Sequence, residues 1–162
     1  MILGVDPGLA STGYAVVGGA PGRPRVEAWG VIRTTTSTPH PLRLREIHDR
    51  LVEVLMQHPC DGAAIESWYI HKTGTAAMGM GEARGAAQVA LACHGVPVTE
   101  YSPNTVKQAV TGSGRADKDQ VRVMVARLTG VTARSDHAAD AIAIAICHLS
   151  TQAFAGAVRR SG

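Results

Sequence analysis

Three strand-like runs joined by glycine- and proline-rich turns fill the first 33 residues, and helical and strand-like patterns alternate from there to the end of the chain. That order limits the possible folds more than any other feature of the sequence. The strand signals cover 1–6, 13–18 ("GYAVVG") and 25–33 ("RVEAWGVIR"), with "GGAPGRP" at 18–24 read as a turn, and together they predict an antiparallel meander. A helix predicted over 41–58 places Leu42, Ile47, Leu51, Val52 and Leu55 near helical spacing. "DGAAIE" (61–66) reads as a short buried strand, 74–93 as an Ala/Met-rich helix and "VPVTEY" (96–101) as a further strand. Helices are expected from about Pro103, over 117–129 and from about residue 135, with Ser135 as the cap of the last. The predicted class is α/β: a mixed five-stranded sheet flanked by helices.

A length of 162 residues suits one compact domain, expected over 1–152, with 153–162 read as a disordered C-terminal tail. Cys60, Cys93 and Cys147 are odd in number and widely spaced, which argues against a disulfide framework or a thiolate metal site and for buried thiols in a reducing compartment. The start of the chain lacks the basic and apolar regions of a secretion signal, and no apolar run reaches membrane-span length. A cytoplasmic protein without membrane attachment is expected. Sixteen Lys and Arg against thirteen Asp and Glu leave a net charge of only +3, so the average charge decides little. Placement says more. Of three lysines, Lys107 and Lys118 share one short segment with Arg115, which predicts a local basic face.

Three carboxylates stand in apolar settings. Asp6 ends the first strand and Glu66 the fourth, and functional groups of parallel strands gather at their carboxyl ends. If those strands are neighbours, the two acids face each other and need a cation. Asp140 lies in "RSDHAADAIAIAICHL" (134–149), a helix apolar on nearly every side, and either Asp136 or His137 falls on its face. Carboxylate oxygens suit Mg²⁺, and a histidine in the set also suits Mn²⁺. Two such ions would clamp the attacking and leaving oxygens of a phosphodiester. Singly, each acid has a plainer reading: Asp-Pro-Gly as a turn, Glu66 paired with an arginine, Asp140 in a buried capping pair.

"GVDPGLASTGYAVV", "AIESWYIHKTGTAAMGMGEARGAA", "YSPNTVKQAVTGSGRADKDQV" and "DHAADAIAIAICH" resemble, in order, the successive blocks of the RuvC family of bacterial Holliday-junction resolvases, over residues 1 to about 150. The resemblance implies a ribonuclease H-like fold, a homodimer, and Mg²⁺- or Mn²⁺-dependent nicking of two opposed strands of a four-way DNA junction. By motif position it implies Asp6, Glu66, His137 and Asp140 as catalytic metal ligands for two ions, with Asp6 bridging them; the family takes aspartate or histidine at the position of His137. It further implies hydrolysis by water, ligatable 5′-phosphate and 3′-hydroxyl ends, and a RuvA–RuvB branch-migration complex as partner.

The same resemblance maps Lys107, Arg115 and Lys118 to the approach of the cleaved strand, where cations position phosphates. In "SWYIHK" (67–72) it maps a base-stacking role to Tyr69, with Trp68 as the other aromatic of the pair, and it puts Arg84 of "GEARG" on the DNA-facing side. Met78 and Met80 read as packing residues, and His40, His48, His58, His71, His94 and His148 as surface or capping residues. Three other functions compete: a ribonuclease H acting on RNA–DNA hybrids, a non-catalytic junction-binding protein, and an actin-like ATPase or sugar kinase. The last needs a second domain for which 162 residues leave no room.

Overall fold

The computed structural model describes residues 1–67 and 75–160, with the side chains of 75–76 and 153–160 left aside. Trp68, Tyr69 and His71 lie outside the described residues. The strands are β1 (Ile2–Asp6), β2 (Ser11–Ala20), β3 (Arg23–Arg33), β4 (Gly62–Glu66) and β5 (Val98–Tyr101). The helices are α1 (His40–Gln57), α2 (Thr75–Cys93), α3 (Pro103–Thr111), α4 (Lys118–Thr129) and α5 (Asp136–Arg160). One sheet in the order β3-β2-β1-β4-β5 holds all five strands. The expected meander pairs antiparallel, while β4 joins β1 and β5 joins β4 in parallel.

Alternation along the strands sorts side chains to two faces. Leu3 and Val5 of β1 and Ala63 and Ile65 of β4 pack with Ile47, Leu51 and Leu55 of α1 and Ala83, Ala87 and Leu91 of α2. Ile2 and Ala64 point the other way, toward α5, whose buried residues Ala138, Ala141, Ile142 and Ala145 are covered on the far side by Val106 and Val110 of α3 and Val121 and Val125 of α4. Being sandwiched between the sheet and two helices explains why α5 is apolar all round. The same parity directs Asp6 and Glu66, each an even number of residues beyond an inward residue of that face, toward α5.

Several expectations are corrected. The segment at 18–24 is largely strand: β2 and β3 pair as far as Ala20↔Arg23, leaving Pro21 and Gly22 at the tip. Gly19 and Gly22 have φ of 95° and 79°, left-handed values that glycine alone adopts without steric cost, and Pro24 is tolerated because β3 is an edge strand. In α1, Leu42 is exposed and the neighbouring Arg43 is buried instead, because its Nε donates to Thr34 Oγ1 at 2.8 Å. Of the three thiols only Cys147 is buried; Cys93 is exposed and Cys60 half-buried. Met78 is exposed, so it is no packing residue, whereas His148 is buried between the Tyr101 hydroxyl and the Gln152 amide. α5 continues to Arg160, through most of the segment read as a tail. No helix among the described residues is long and apolar enough to cross a membrane.

Candidate active site

β1 and β4 are parallel neighbours in register, with Val5 opposite Ile65, so Asp6 and Glu66 leave the sheet side by side at its carboxyl edge. Past Asp6 the chain must turn, and two threonines hold that turn. Thr12, wholly buried, donates from Oγ1 to the Gly8 carbonyl at 2.8 Å, and Thr34 Oγ1 donates to the Leu9 carbonyl at 2.6 Å. Neither threonine stands out in the sequence, because side-chain to backbone bonds in a loop leave no periodic signal.

α5 brings the third carboxylate. It can do so only because two glycines lie beneath it. A Cβ at Gly4 would sit 2.1 Å from the Ala141 carbonyl oxygen, and one at Gly13, which pairs with Asp6, would sit 1.9 Å from the His137 carbonyl oxygen. Helix backbone therefore rests directly on strand backbone, an approach glycine permits. The first turn is anchored by the Ala139 amide donating to the Ser135 carbonyl at 3.0 Å, as expected of a cap position.

The result is a cavity of about 400 Å³ lined by Asp6, Glu66, His137 and Asp140 together with Lys107 and Lys118. His137 Nδ1 donates to Asp6 Oδ2 at 2.6 Å, and Lys118 Nζ lies 3.8 Å from Asp140 Oδ2. Asp136 turns away: it is exposed and pairs with Arg122 at 3.6 Å. Of the two candidates at the start of α5, His137 lines the cavity and Asp136 does not. Lys107 and Lys118 join the acidic cavity, whereas Arg115 lines a separate groove of about 450 Å³ with Gln120 and Arg127. Arg84 points inward, donating from Nη1 to the Glu66 carbonyl at 2.6 Å and pairing through Nη2 with Glu100.

Electrostatically the acids oppose one another. Burial, then the charges of Asp6 and Asp140, push the Glu66 carboxyl up to about 7 from its ordinary 4.5. Asp140 is raised by burial and by Asp6, against the pull of Lys118. His137 is raised chiefly by its hydrogen bond to Asp6, with burial opposing. Such mutual repulsion in a sheltered cavity is relieved by a positive charge placed among the carboxylates. Among the described residues no three such donors are already closed around one point, and Asp6 and Asp140 are engaged by His137 and Lys118. An all-oxygen trio with one imidazole has the donor chemistry that suits a hard divalent cation, and a cation held there would have to displace those two contacts.

Residues 2–148 match the family model of the crossover junction endodeoxyribonuclease RuvC. A relative of that description from Granulibacter bethesdensis is 46% identical over 160 residues, covering 98% of this chain and 90% of its own. Another, from Saccharophagus degradans, is 46% identical over 154 residues, covering 94% and 89%. Among solved structures, T. thermophilus RuvC in complex with Holliday junction substrate matches with a TM-score of 0.90 at 34% identity over 95% of each chain. The yeast mitochondrial Holliday junction resolvase Ydc2 shares the fold, with a TM-score of 0.70 at 11% identity, covering 98% of this chain and 83% of its own. The common architecture is ribonuclease H-like.

Proposed function

The chain belongs to the RuvC family and is an endonuclease that resolves crossover junctions; from that premise we propose that Asp6, Glu66, His137 and Asp140 are its catalytic metal ligands. The observation that carries this reading is that three carboxylates from β1, β4 and α5 line one cavity, with the charge of Asp6 acting on both of the others. Asp6, Glu66, Asp140 and His137 would together hold two ions, Mg²⁺ or Mn²⁺, with Asp6, whose charge acts on both other carboxylates, the residue that would be shared between them. When bound, two such cations activate water and neutralise charge developing on the phosphodiester.

The chain's own groups perform the rest. Lys107 and Lys118, at the rim of the cavity, hold the phosphates of the strand to be cut and release Asp140 to its ligand role. His137 keeps Asp6 oriented by its hydrogen bond until a cation is bound. No side chain among the described residues lining the cavity is a serine, threonine or cysteine nucleophile, which favours direct attack by water; products with 5′-phosphate and 3′-hydroxyl ends are what membership of the family implies. Arg115, set apart in its own groove, contacts DNA farther from the cleaved bond. Tyr69 is assigned to stacking on an unpaired base near the crossover, on the family register.

Residues 1–152 form a single nuclease domain on this reading. Two opposed strands require two active sites, so the working form is a homodimer. RuvA–RuvB is the expected partner complex, and the cytoplasm the expected compartment. The test is cleavage of a synthetic four-way junction, a linear duplex and an RNA–DNA hybrid, with and without Mg²⁺ or Mn²⁺. Paired nicks in the junction alone, dependent on metal, are expected; preferential cleavage of the hybrid would assign a ribonuclease H, and binding without cleavage a junction-binding protein.

A further inference from the structure

We propose that Arg84 is a positioning residue for Glu66, joining the carboxyl ends of β4 and β5 so that the Glu66 carboxylate is presented to the cavity in one direction; this rests on the assignment of Glu66 as a metal ligand. Arg84 lies on α2, against the face of the sheet opposite α5, and its side chain is only 12% exposed. One arm of the guanidinium, Nη1, donates to the main-chain carbonyl of Glu66 at 2.6 Å. The other, Nη2, pairs with the Glu100 carboxylate, which Gln88 Nε2 also approaches at 3.5 Å.

These acceptors belong to adjacent rungs of the sheet: Glu100 stands opposite Ile65, and Tyr101 opposite Glu66. The next amide, Ser67 N–H, donates to the Tyr101 carbonyl at 2.7 Å, so the peptide after Glu66 is held from β5 through its N–H and from α2 through its C=O. A peptide plane held at both ends leaves the Cα–Cβ direction of Glu66 little freedom. The effect is geometric rather than electrostatic, because the charges that act on the Glu66 carboxyl are those of Asp6, Asp140, Lys118 and Lys107, and Arg84 is not among them. Only a planar fork meets both acceptors at once; an ammonium on a flexible stem is a single point charge. With both arms turned inward, Arg84 has little left to offer a phosphate.

The inference is tested on the full chain with Arg84→Met, Arg84→Lys and Glu100→Gln, with Glu66→Gln in the same series. Three readouts are needed: Mn²⁺ binding to the free protein by electron paramagnetic resonance, junction binding across a salt series in Ca²⁺, and single-turnover nicking at saturating protein. Loss of a group that orients a metal ligand typically costs about 10–100-fold in metal affinity or activity. A loss of that size is expected for Arg84→Met in both Mn²⁺ affinity and nicking, with Arg84→Lys failing to restore it, Glu100→Gln losing less, and junction affinity unchanged. Weaker junction binding with a shallower salt slope and unaltered Mn²⁺ affinity would overturn the proposal in favour of a phosphate contact. Unchanged values throughout would overturn it too. If Arg84→Met does not fold, Glu100→Gln decides by the same two readouts. Nicking by Glu66→Gln at the unaltered rate would instead remove the ligand assignment beneath the proposal, whereas an inactive Glu66→Gln beside an unaffected Arg84→Met removes the positioning role alone.

Discussion

The two faces of the sheet are packed by different means. Toward α1 the contact is made by long side chains, Leu3, Val5, Ile47, Leu51 and Leu55, which interlock and can shift rotamers when a neighbour changes. Toward α5 it is made by Gly4 and Gly13 beneath Ala138, Ala141 and Ala145, with backbone nearly touching backbone. Larger side chains, Ile2, Val17 and Ile142 among them, fill the rest of that face, but at the two glycines no side chain stands between the backbones to absorb an error. The acidic cavity draws Asp140 and His137 from that face, so the distance between α5 and β1 is set by the bulk of the peptide itself. The interlocked side chains around Leu51 supply adaptable stability, and the close approach of α5 supplies geometry.

Four experiments break or sharpen that contrast. The largest effect belongs to the proposed ligands: Asp6→Asn, Asp140→Asn or Glu66→Gln is expected to lower nicking by about a thousandfold or more, the scale of several kcal/mol of charge stabilisation. Junction affinity in gel-shift assays should persist, since phosphate contacts elsewhere carry it. Near-normal nicking by any of the three removes that residue from the site.

Next comes Gly13→Ala. Its methyl group has to push the His137 backbone aside, which is expected to cost about 3 kcal/mol of stability and, by misplacing α5, about a hundredfold in the nicking rate of the molecules that remain folded. Gly85→Ala, on the other side in α2, meets nothing within 4 Å and should stabilise slightly. Equal behaviour of the two alanines would mean that close approach of α5 does not govern the site.

The third experiment varies pH in the metal-free protein. Glu66, raised to about 7 from 4.5, and Asp140 and His137, both raised, each bind protons more tightly in the folded chain than in the unfolded one. Their protonated forms therefore favour folding, and unfolding free energy should fall as pH rises from about 4.5 through about 7. Denaturant titrations in chelator follow this directly. Glu66→Gln should flatten the slope, and saturating Mg²⁺ should raise stability most at the alkaline end; a slope of opposite sign would contradict the crowding of acids described above.

The smallest effect on catalysis is expected from the adaptable face. Leu51→Ala removes a fully buried side chain and should cost about 2–5 kcal/mol of stability. Nicking per folded molecule should stay at the unaltered value below the melting range. A rate loss to match the stability loss would mean that both faces shape the site alike.

Much of this architecture is legible in the amino-acid sequence. Asp6 and Glu66 are conspicuous because each ends a short apolar run, and a strand that stops on a carboxylate puts it at the sheet edge whatever the rest of the fold does. Asp140 stands out for the same reason, an acid where nearly every neighbour is Ala or Ile. The starts of α3, α4 and α5 follow from Ser102, Asp117 and Ser135, residues whose side chains or carbonyls satisfy the first turn locally. The hairpin tip is not legible in this way, because glycines in "GGAPGRP" signal a turn equally well whether they occupy it or flank it, and the ladder alone chooses.

What the sequence determined by itself was therefore the local chemistry: which elements form, where acids interrupt apolar runs, and where cations cluster. Only the tertiary structure decided that His137 rather than Asp136 faces Asp6, that Gly13 is a seat for α5, and that Arg84 turns its charge inward to Glu66 and Glu100. Each of these depends on which surface another element presents, and His137 and Asp136 differ by a single step of the helix. Spacing along the chain carries the period of one helix or strand but not the rotation and distance at which two of them meet, and those are set by the packing of the whole core.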